Sequence, residues 1–266
     1  MKINIAGTQI LDLLRNAQKA LVILSDQPST DSVAAALSWA EIGGQIGKNV
    51  EVVCFGTLPD AAKNLEKVAT IKSHLDPINL VVSFNWSQNM IEKVSYSVEG
   101  EKFNLIITPS GKKLDPTAVE YSHRGVDYDL IISLGISNPS ELSAEKIDRN
   151  IFQSIPTINI DNQASNASYG KVNVVDGQED SISGLVSTVF EQTHIAANSK
   201  VAELLLFGMR SATKNFEEVK NPLTFEHAAY CTKIKNFPGT VSTGLTEAEK
   251  GVDWFSPEVM RSSKTS

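Results

Sequence analysis

The sequence predicts an α/β protein: a doubly wound, mainly parallel sheet flanked by helices, with an inserted antiparallel hairpin. Three observations carry this. Short apolar runs of strand length alternate with stretches of helical pattern, the rhythm of successive βαβ units. The first unit, residues 10–55, is punctuated by cap and turn residues at each junction. The middle breaks the rhythm, where Glu99, Gly100 and Glu101 join two strand-like runs.

Taken in order, Ile10, Leu11, Leu13 and Leu14 recur near helical spacing ahead of the buried-strand run 20–24. Asp31 is placed to cap a second helix, Ala-rich over 33–40, with Trp39 set to pack it onto the sheet. Gly43, Gly44 and Gly47 signal its end before a strand at 50–55. Such a crossover makes the strands parallel and puts sites beyond their carboxyl ends, so the turn after Leu24 matters most. Residues 79–84, 93–98 and 102–108 are strand-like, the last two as a hairpin whose edges could serve self-association. Strands at 129–134, 157–160 and 171–175 and helices at 181–192, 200–212 and 224–234 follow. From Pro238 the chain is rich in Gly, Ser and Thr, so the expected organisation is one α/β domain, 1–237, and a partly disordered tail, 238–266.

Composition narrows the function classes. The 266 residues are 41% hydrophobic and 21% charged, ordinary for a globular protein. A formal charge of -7 argues against an extended nucleic-acid partner, and Trp39, Trp86 and Trp254 form no basic-aromatic stripe. No apolar run near the start approaches a signal or membrane core, which implies a cytoplasmic protein without membrane attachment. Cys54 and Cys231 are too few and too far apart for a disulfide framework or zinc cluster and read as buried thiols. His74, His123, His194 and His227 fall outside the turns described next, where a surface or hydrogen-bonded structural role suits them.

Four turns carry a resemblance. The first, Val22-Ile-Leu-Ser-Asp-Gln-Pro-Ser-Thr-Asp-Ser-Val, resembles the strand and H-x-x-P-D-x-D-A-x-G-S turn of the DHH phosphoesterases, the family of RecJ-like and short-oligonucleotide-degrading nucleases. The second, Tyr128 to Gly135, is similar to that family's D-L-x-I-x-x-D. The third runs from Pro156 through Asp161, Asn162, Gln163 and Asn166 to Gly170 and Asp176, against I-D-H-H-x-x-N, F-G and N-x-V-D. Downstream, Glu179-Asp-Ser-Ile-Ser-Gly resembles the family's A-S-S-T-A-E helix start. The fourth, Phe207-Gly-Met-Arg-Ser-Ala-Thr-Lys-Asn-Phe, looks like G-I-x-T-D-T-x-x-F. The family's C-terminal substrate-binding domain, with its G-G-G-H segment, has no counterpart.

The resemblance implies a two-metal hydrolase frame whose ligands are mostly gone. The family's His and first Asp fall on Ser25 and Ser29, its bridging Asp on Gly135, its two histidines on Asn162 and Gln163, and its last Asp on Ala212. Asp31 is the ligand that persists. Two cations about 3.5–4 Å apart need anionic oxygens and imidazoles, which hydroxyls, amides, Gly and Ala do not replace. Asp26 and Asp161 could join Asp31 around a single Mg²⁺ or Mn²⁺, but Asp31 is better suited to a cap, and Asp161 and Asn166 serve equally well as turn-fixing side chains.

The implied function is therefore a DHH phosphoesterase-like protein that is non-catalytic and needs no metal cofactor. It would bind a nucleotide or other phosphate-containing small molecule, or a protein partner or second copy. Its cleft would comprise Ser25, Asp26, Ser29, Asp31, Gly135, Asp161, Asn162, Gln163, Asn166, Gly208 and Ala212. The alternative is a divergent Mn²⁺- or Mg²⁺-dependent hydrolase of short oligonucleotides, cyclic dinucleotides or nucleotide phosphates, with Asp31 and Asp161 as catalytic candidates.

Overall fold

In chain order the computed structural model contains α1 (Gly7–Asn16), β1 (Lys19–Leu24), α2 (Thr30–Gln45), β2 (Asn49–Cys54), β3 (Asn79–Ser83), β4 (Ile91–Glu99), β5 (Lys102–Pro109), β6 (Glu120–Arg124), β7 (Leu130–Leu134), α3 (Ile151–Ser154), β8 (Thr157–Asp161), β9 (Val172–Val175), α4 (Ile182–Thr193), α5 (Ser199–Ala212) and α6 (Leu223–Asn236). The structure describes residues 7–75, 77–84, 91–111 and 113–236, at His123 and Arg124 the backbone alone. The expected tail, Trp86 and Trp254 lie outside them.

Five strands form a parallel sheet in the order β2-β1-β7-β8-β9. The chain adds β2 on one side of β1 and β7, β8 and β9 on the other, so the winding reverses between β1 and β7. At such a switch point the connections leave in opposite directions and open a crevice at the strand carboxyl ends. Leu24 is level with Leu134, and Leu134 with Ile160, so the turns after β1, β7 and β8 begin side by side.

Packing explains why these runs are strands. Val22, Leu24, Ile132, Leu134, Ile158 and Ile160 join one core with α2, α4, α5 and α6, while the alternate residues Leu21, Ile23 and Ile131 are also fully buried. A sheet covered on both faces needs continuous apolar strands, as the sequence has. Trp39 is buried and meets Phe190 of α4 edge to face at 4.8 Å, so it fastens helix to helix above the sheet. Cys54 and Cys231 are free and buried, as expected.

Two local expectations change. The cap of α2 is Ser29, whose hydroxyl accepts from the Ser32 amide at 3.0 Å, and not Asp31. That helix also continues through Gly43 and Gly44 to Gln45. Gly43 is needed there because a Cβ would lie 2.2 Å from Val50 Cγ2, and the stop comes only at Gly47, with φ +67°.

The insertion, Pro77–Val126, is a compact unit of its own. In it β4 and β5 pair antiparallel around Gly100, at φ +62°, as the sequence implied. The strand β3 pairs antiparallel with β6, which was not expected. Its sequence, Glu-Tyr-Ser-His-Arg, lacks the β-branched alternation that marks strands. Among the described residues no helix is long and apolar enough to cross a membrane.

Candidate functional site

The switch-point turns place the candidate residues in three neighbourhoods. The first is where α2 meets the N-terminus of α4. Asp31, in the first turn of α2, is 4% exposed, and its two carboxylate oxygens accept from the backbone amides of Ile182 at 2.6 Å and Ser183 at 3.0 Å. The Gly184 amide donates to Ser181 Oγ at 3.0 Å and the Leu185 amide to the Ser181 carbonyl at 3.3 Å. The first three amides of α4 proper, those of Ile182, Ser183 and Gly184, which the helix cannot satisfy itself, are thereby taken by side chains, and Leu185 makes the first bond within the helix. Burial pushes the Asp31 carboxyl above the ordinary aspartate range, opposed in part by the Ser183 and Ile182 bonds.

Two glycines make this junction fit. Gly208 of α5 lies so close that a Cβ would be 2.0 Å from Ser183 Oγ and 2.6 Å from Asp31 Oδ1. Gly135, at the end of β7, has φ +63°, and a Cβ there would sit 2.8 Å from Ile182 Cδ1 and 3.1 Å from Ser32 Oγ. The position where the resemblance calls for a bridging Asp is thus left-handed and enclosed.

The N-terminus of α2 differs. Ser29 is exposed, and its hydroxyl lies 2.8 Å from Ser32 Oγ. The Ser32 and Val33 amides return to Ser29, whereas the Thr30 and Asp31 amides donate to no described residue. Because the Asp31 carboxylate bonds to α4, the Thr30 and Asp31 N–H groups keep no side-chain acceptor among the described residues. Ser25 and Asp26 sit on the side of β2: the Ser25 carbonyl accepts from Cys54 Sγ at 3.5 Å, and Asp26 Oδ2 accepts from the Ser143 amide at 3.3 Å. Asp26 Oδ1 is buried without a partner among the described residues.

The second neighbourhood is an amide network beneath the turn after β8. Asp161 is fully buried, and its Oδ2 accepts from Ser137 Oγ at 3.0 Å and Asn166 Nδ2 at 2.8 Å. Asn166 also accepts from the Ser168 amide at 2.8 Å and from Asn159 Nδ2 at 2.7 Å, which fixes the turn. Asp161 Oδ1 has no partner among the described residues. Tyr169 bonds Ser133 through the hydroxyls, and burial pushes its phenol well above its ordinary pKa.

The third is an open polar basin of about 760 Å³, with Asn162, Gln163 and Ala212 on its wall beside Asp176, Glu179, Asp180, Glu218, Lys220 and Asn221. Asn162 Nδ2 donates to the Glu179 carbonyl at 3.2 Å. The Glu179 side chain is 2% exposed, held by Asn221 Nδ2 at 3.1 Å, and its Oε2 stands 3.8 Å from His227 Nδ1. Burial first, then the charges of Asp176 and Asp180, push its carboxyl to about 7. His227 is buried and shares a 3.0 Å bond with Thr188 Oγ1, while His194 closes α4 in the left-handed conformation.

These residues do not fit a two-metal centre. Asp31 spends both oxygens on α4, Gly135 has no room for a ligand, and Asn162 is engaged with the Glu179 carbonyl. Among the described residues no group of three or more His, Cys, Asp or Glu is arranged to hold a metal ion. The Asp31 commitment also removes it from the single-ion grouping with Asp26 and Asp161. Sequence reasoning missed Ser137, Ser183 and Glu179, whereas His227 takes the hydrogen-bonded structural role expected of it. Ser183 offered a signal in its place at a helix start, whereas nothing in the sequence around Glu179 signals that its side chain is buried.

No protein-family model matches the sequence, and no curated protein does. Among solved structures the chain is similar to the crystal structure of an exopolyphosphatase-related protein from Bacteroides fragilis. The TM-score is 0.62 and the identity 13%, over 89% of this chain and 59% of that one. The two share a fold, and this chain spans less than two thirds of its neighbour's length.

Proposed function

We propose that this chain is a phosphoesterase-like domain that binds a phosphate-bearing, nucleotide-like ligand at the sheet's switch point without hydrolysing it. The supporting observation is the unequal treatment of two helix N-termini. The amides of Ile182, Ser183 and Gly184 at the start of α4 all have side-chain acceptors, Asp31 for two of them, whereas those of Thr30 and Asp31 at α2 stay open beside the Ser29 and Ser32 hydroxyls. An open N-terminus with its positive dipole end suits a phosphate, and the switch point is where doubly wound folds bind ligands. The exopolyphosphatase-related fold neighbour agrees with the phosphoesterase resemblance of the four turns.

The second reading, a divergent hydrolase using one Mg²⁺ or Mn²⁺, is favoured by the unmet oxygens of Asp26 and Asp161. It has to work without Asp31, whose removal would uncap α4. The test is thermal unfolding with AMP, a linear dinucleotide, a cyclic dinucleotide and tripolyphosphate, each checked for cleavage. The proposal expects at least one probe to raise the midpoint in wild type and to lose that effect in Ser29→Asp, which sets a negative charge at the α2 amides. Equal shifts in both proteins, or none with any probe, would sink it.

A further inference from the structure

The insertion carries a surface that the proposed ligand site does not use. In the β4–β5 register Val94 faces Ile107, Tyr96 faces Leu105, and Val98 faces Phe103, so six apolar side chains share one face of the hairpin. Val94, Tyr96, Val98, Phe103 and Leu105 are 56%, 71%, 66%, 67% and 53% exposed. Tyr96 and Phe103 stack with centroids 5.5 Å apart, which makes a flat aromatic centre. The opposite face holds Lys93, Ser95, Ser97, Asn104 and Thr108 around a single exposed apolar residue, Ile106, with Asn104 Nδ2 donating to Ser97 Oγ at 3.3 Å. One face of the hairpin is therefore predominantly apolar and exposed, and a contiguous apolar patch of this kind marks an interface.

We propose that this face pairs with the same face of a second copy of the chain. Charge balance favours a copy. Residues 77–126 carry five basic residues (Lys93, Lys102, Lys112, Lys113, Arg124) and five acidic ones (Glu92, Glu99, Glu101, Asp115, Glu120), so the unit is neutral while the chain carries -7. A neutral, uncharged face does not repel its twin and offers no charge to select a different partner. Area sets the strength. With roughly 200 Å² for an aromatic side chain and about 100 Å² for an aliphatic one, the exposed fractions give on the order of 450 Å² per copy. A pair would bury roughly 900 Å², below the usual size of permanent interfaces, so the dimer is weak and reversible. Packing one hairpin face on another about 10 Å apart follows ordinary sheet-on-sheet geometry.

The test is sedimentation equilibrium of the full chain from about 1 to about 100 µM, a span suited to a small interface, beside a Tyr96→Ser, Phe103→Ser double variant and a Ser95→Lys control on the polar face. The expected result is a wild-type mass that rises toward twice the monomer with concentration, an unchanged control, and a double variant that stays monomeric with an unaltered unfolding midpoint for the parallel-sheet unit. Wild type that stays monomeric throughout would overturn the proposal, with no variant needed. So would a double variant that still dimerises.

Discussion

Asp31 on α2 accepts the backbone amides of Ile182 and Ser183 at 2.6 and 3.0 Å, so a carboxylate in the first turn of one helix caps another helix 151 residues onward. It lies near the positive ends of both helix dipoles, which favours its charge, against the cost of full burial. This relationship organises the α2, α4 and α5 junction, and Gly208 leaves the space for it.

Removing that acceptor should be expensive. Asp31→Ala leaves two buried N–H groups unpaired, at about 1–3 kcal/mol each, so a loss of about 3 kcal/mol is expected in denaturant unfolding. Asp31→Asn keeps one acceptor and should lose about half as much. A stability change below about 0.5 kcal/mol for Asp31→Ala would show that the cap carries no weight.

Restoring the bridging Asp that the resemblance calls for should harm the fold. In Gly135→Asp the new side chain must adopt φ near +63° with its Cβ 2.8 Å from Ile182 Cδ1. Left-handed strain of about 1–2 kcal/mol plus overpacking predicts a loss of roughly 2–4 kcal/mol. Because Ile182 contributes the tip of a flexible chain, Ile182→Val in the same protein should recover part of the loss. Native stability for Gly135→Asp alone would contradict the enclosure described.

Glu179 predicts a pH dependence. Its carboxyl titrates at about 7 in the folded protein against 4.5 for the ordinary group, so between those values the unfolded chain has released a proton that the folded chain still holds. Stability from this group is full below pH 4.5, falls as the pH rises through the window, and is gone above about 7. The span corresponds to at most about 3 kcal/mol. In Glu179→Gln this slope should vanish, so the gap between variant and wild type widens with pH. Parallel stability curves from pH 4.5 to 7.5 would refute it.

Both thiols should be inert in the native state. Burial pushes the Cys231 thiol up to about 12 and raises Cys54 as well, so little thiolate exists at pH 8. Labelling with a thiol reagent should track global unfolding, and fast labelling of either cysteine in native protein would contradict its placement.

The parallel sheet and the order of its turns were legible because their causes are local: apolar strand runs, Gly47 after α2, Gly100 in the hairpin. The site was legible only as a set of positions. That Gly135 lacks a carboxylate is plain from its letter, but its enclosure is made by Ser32 and Ile182, which arrive from α2 and α4. Asp31 looked equally suited to cap its own helix, and the amides that claim it come from the far end of the chain. The Glu179 and His227 neighbourhood exists only once α6 docks on α4, and a polar strand such as β6 is set by its pairing with β3.

We propose that the chain binds a ligand without hydrolysing it, with Asp31 and Asn162 engaged in structural bonds where the resemblance calls for metal ligands. The most direct measurement is hydrolysis of a short oligonucleotide, a cyclic dinucleotide and AMP by purified protein with Mn²⁺ or Mg²⁺, alongside Asp161→Asn. The expected result is no metal-dependent turnover above the buffer rate for either protein. Turnover that requires the metal and disappears in a folded Asp161→Asn variant would contradict the account and make the chain a hydrolase.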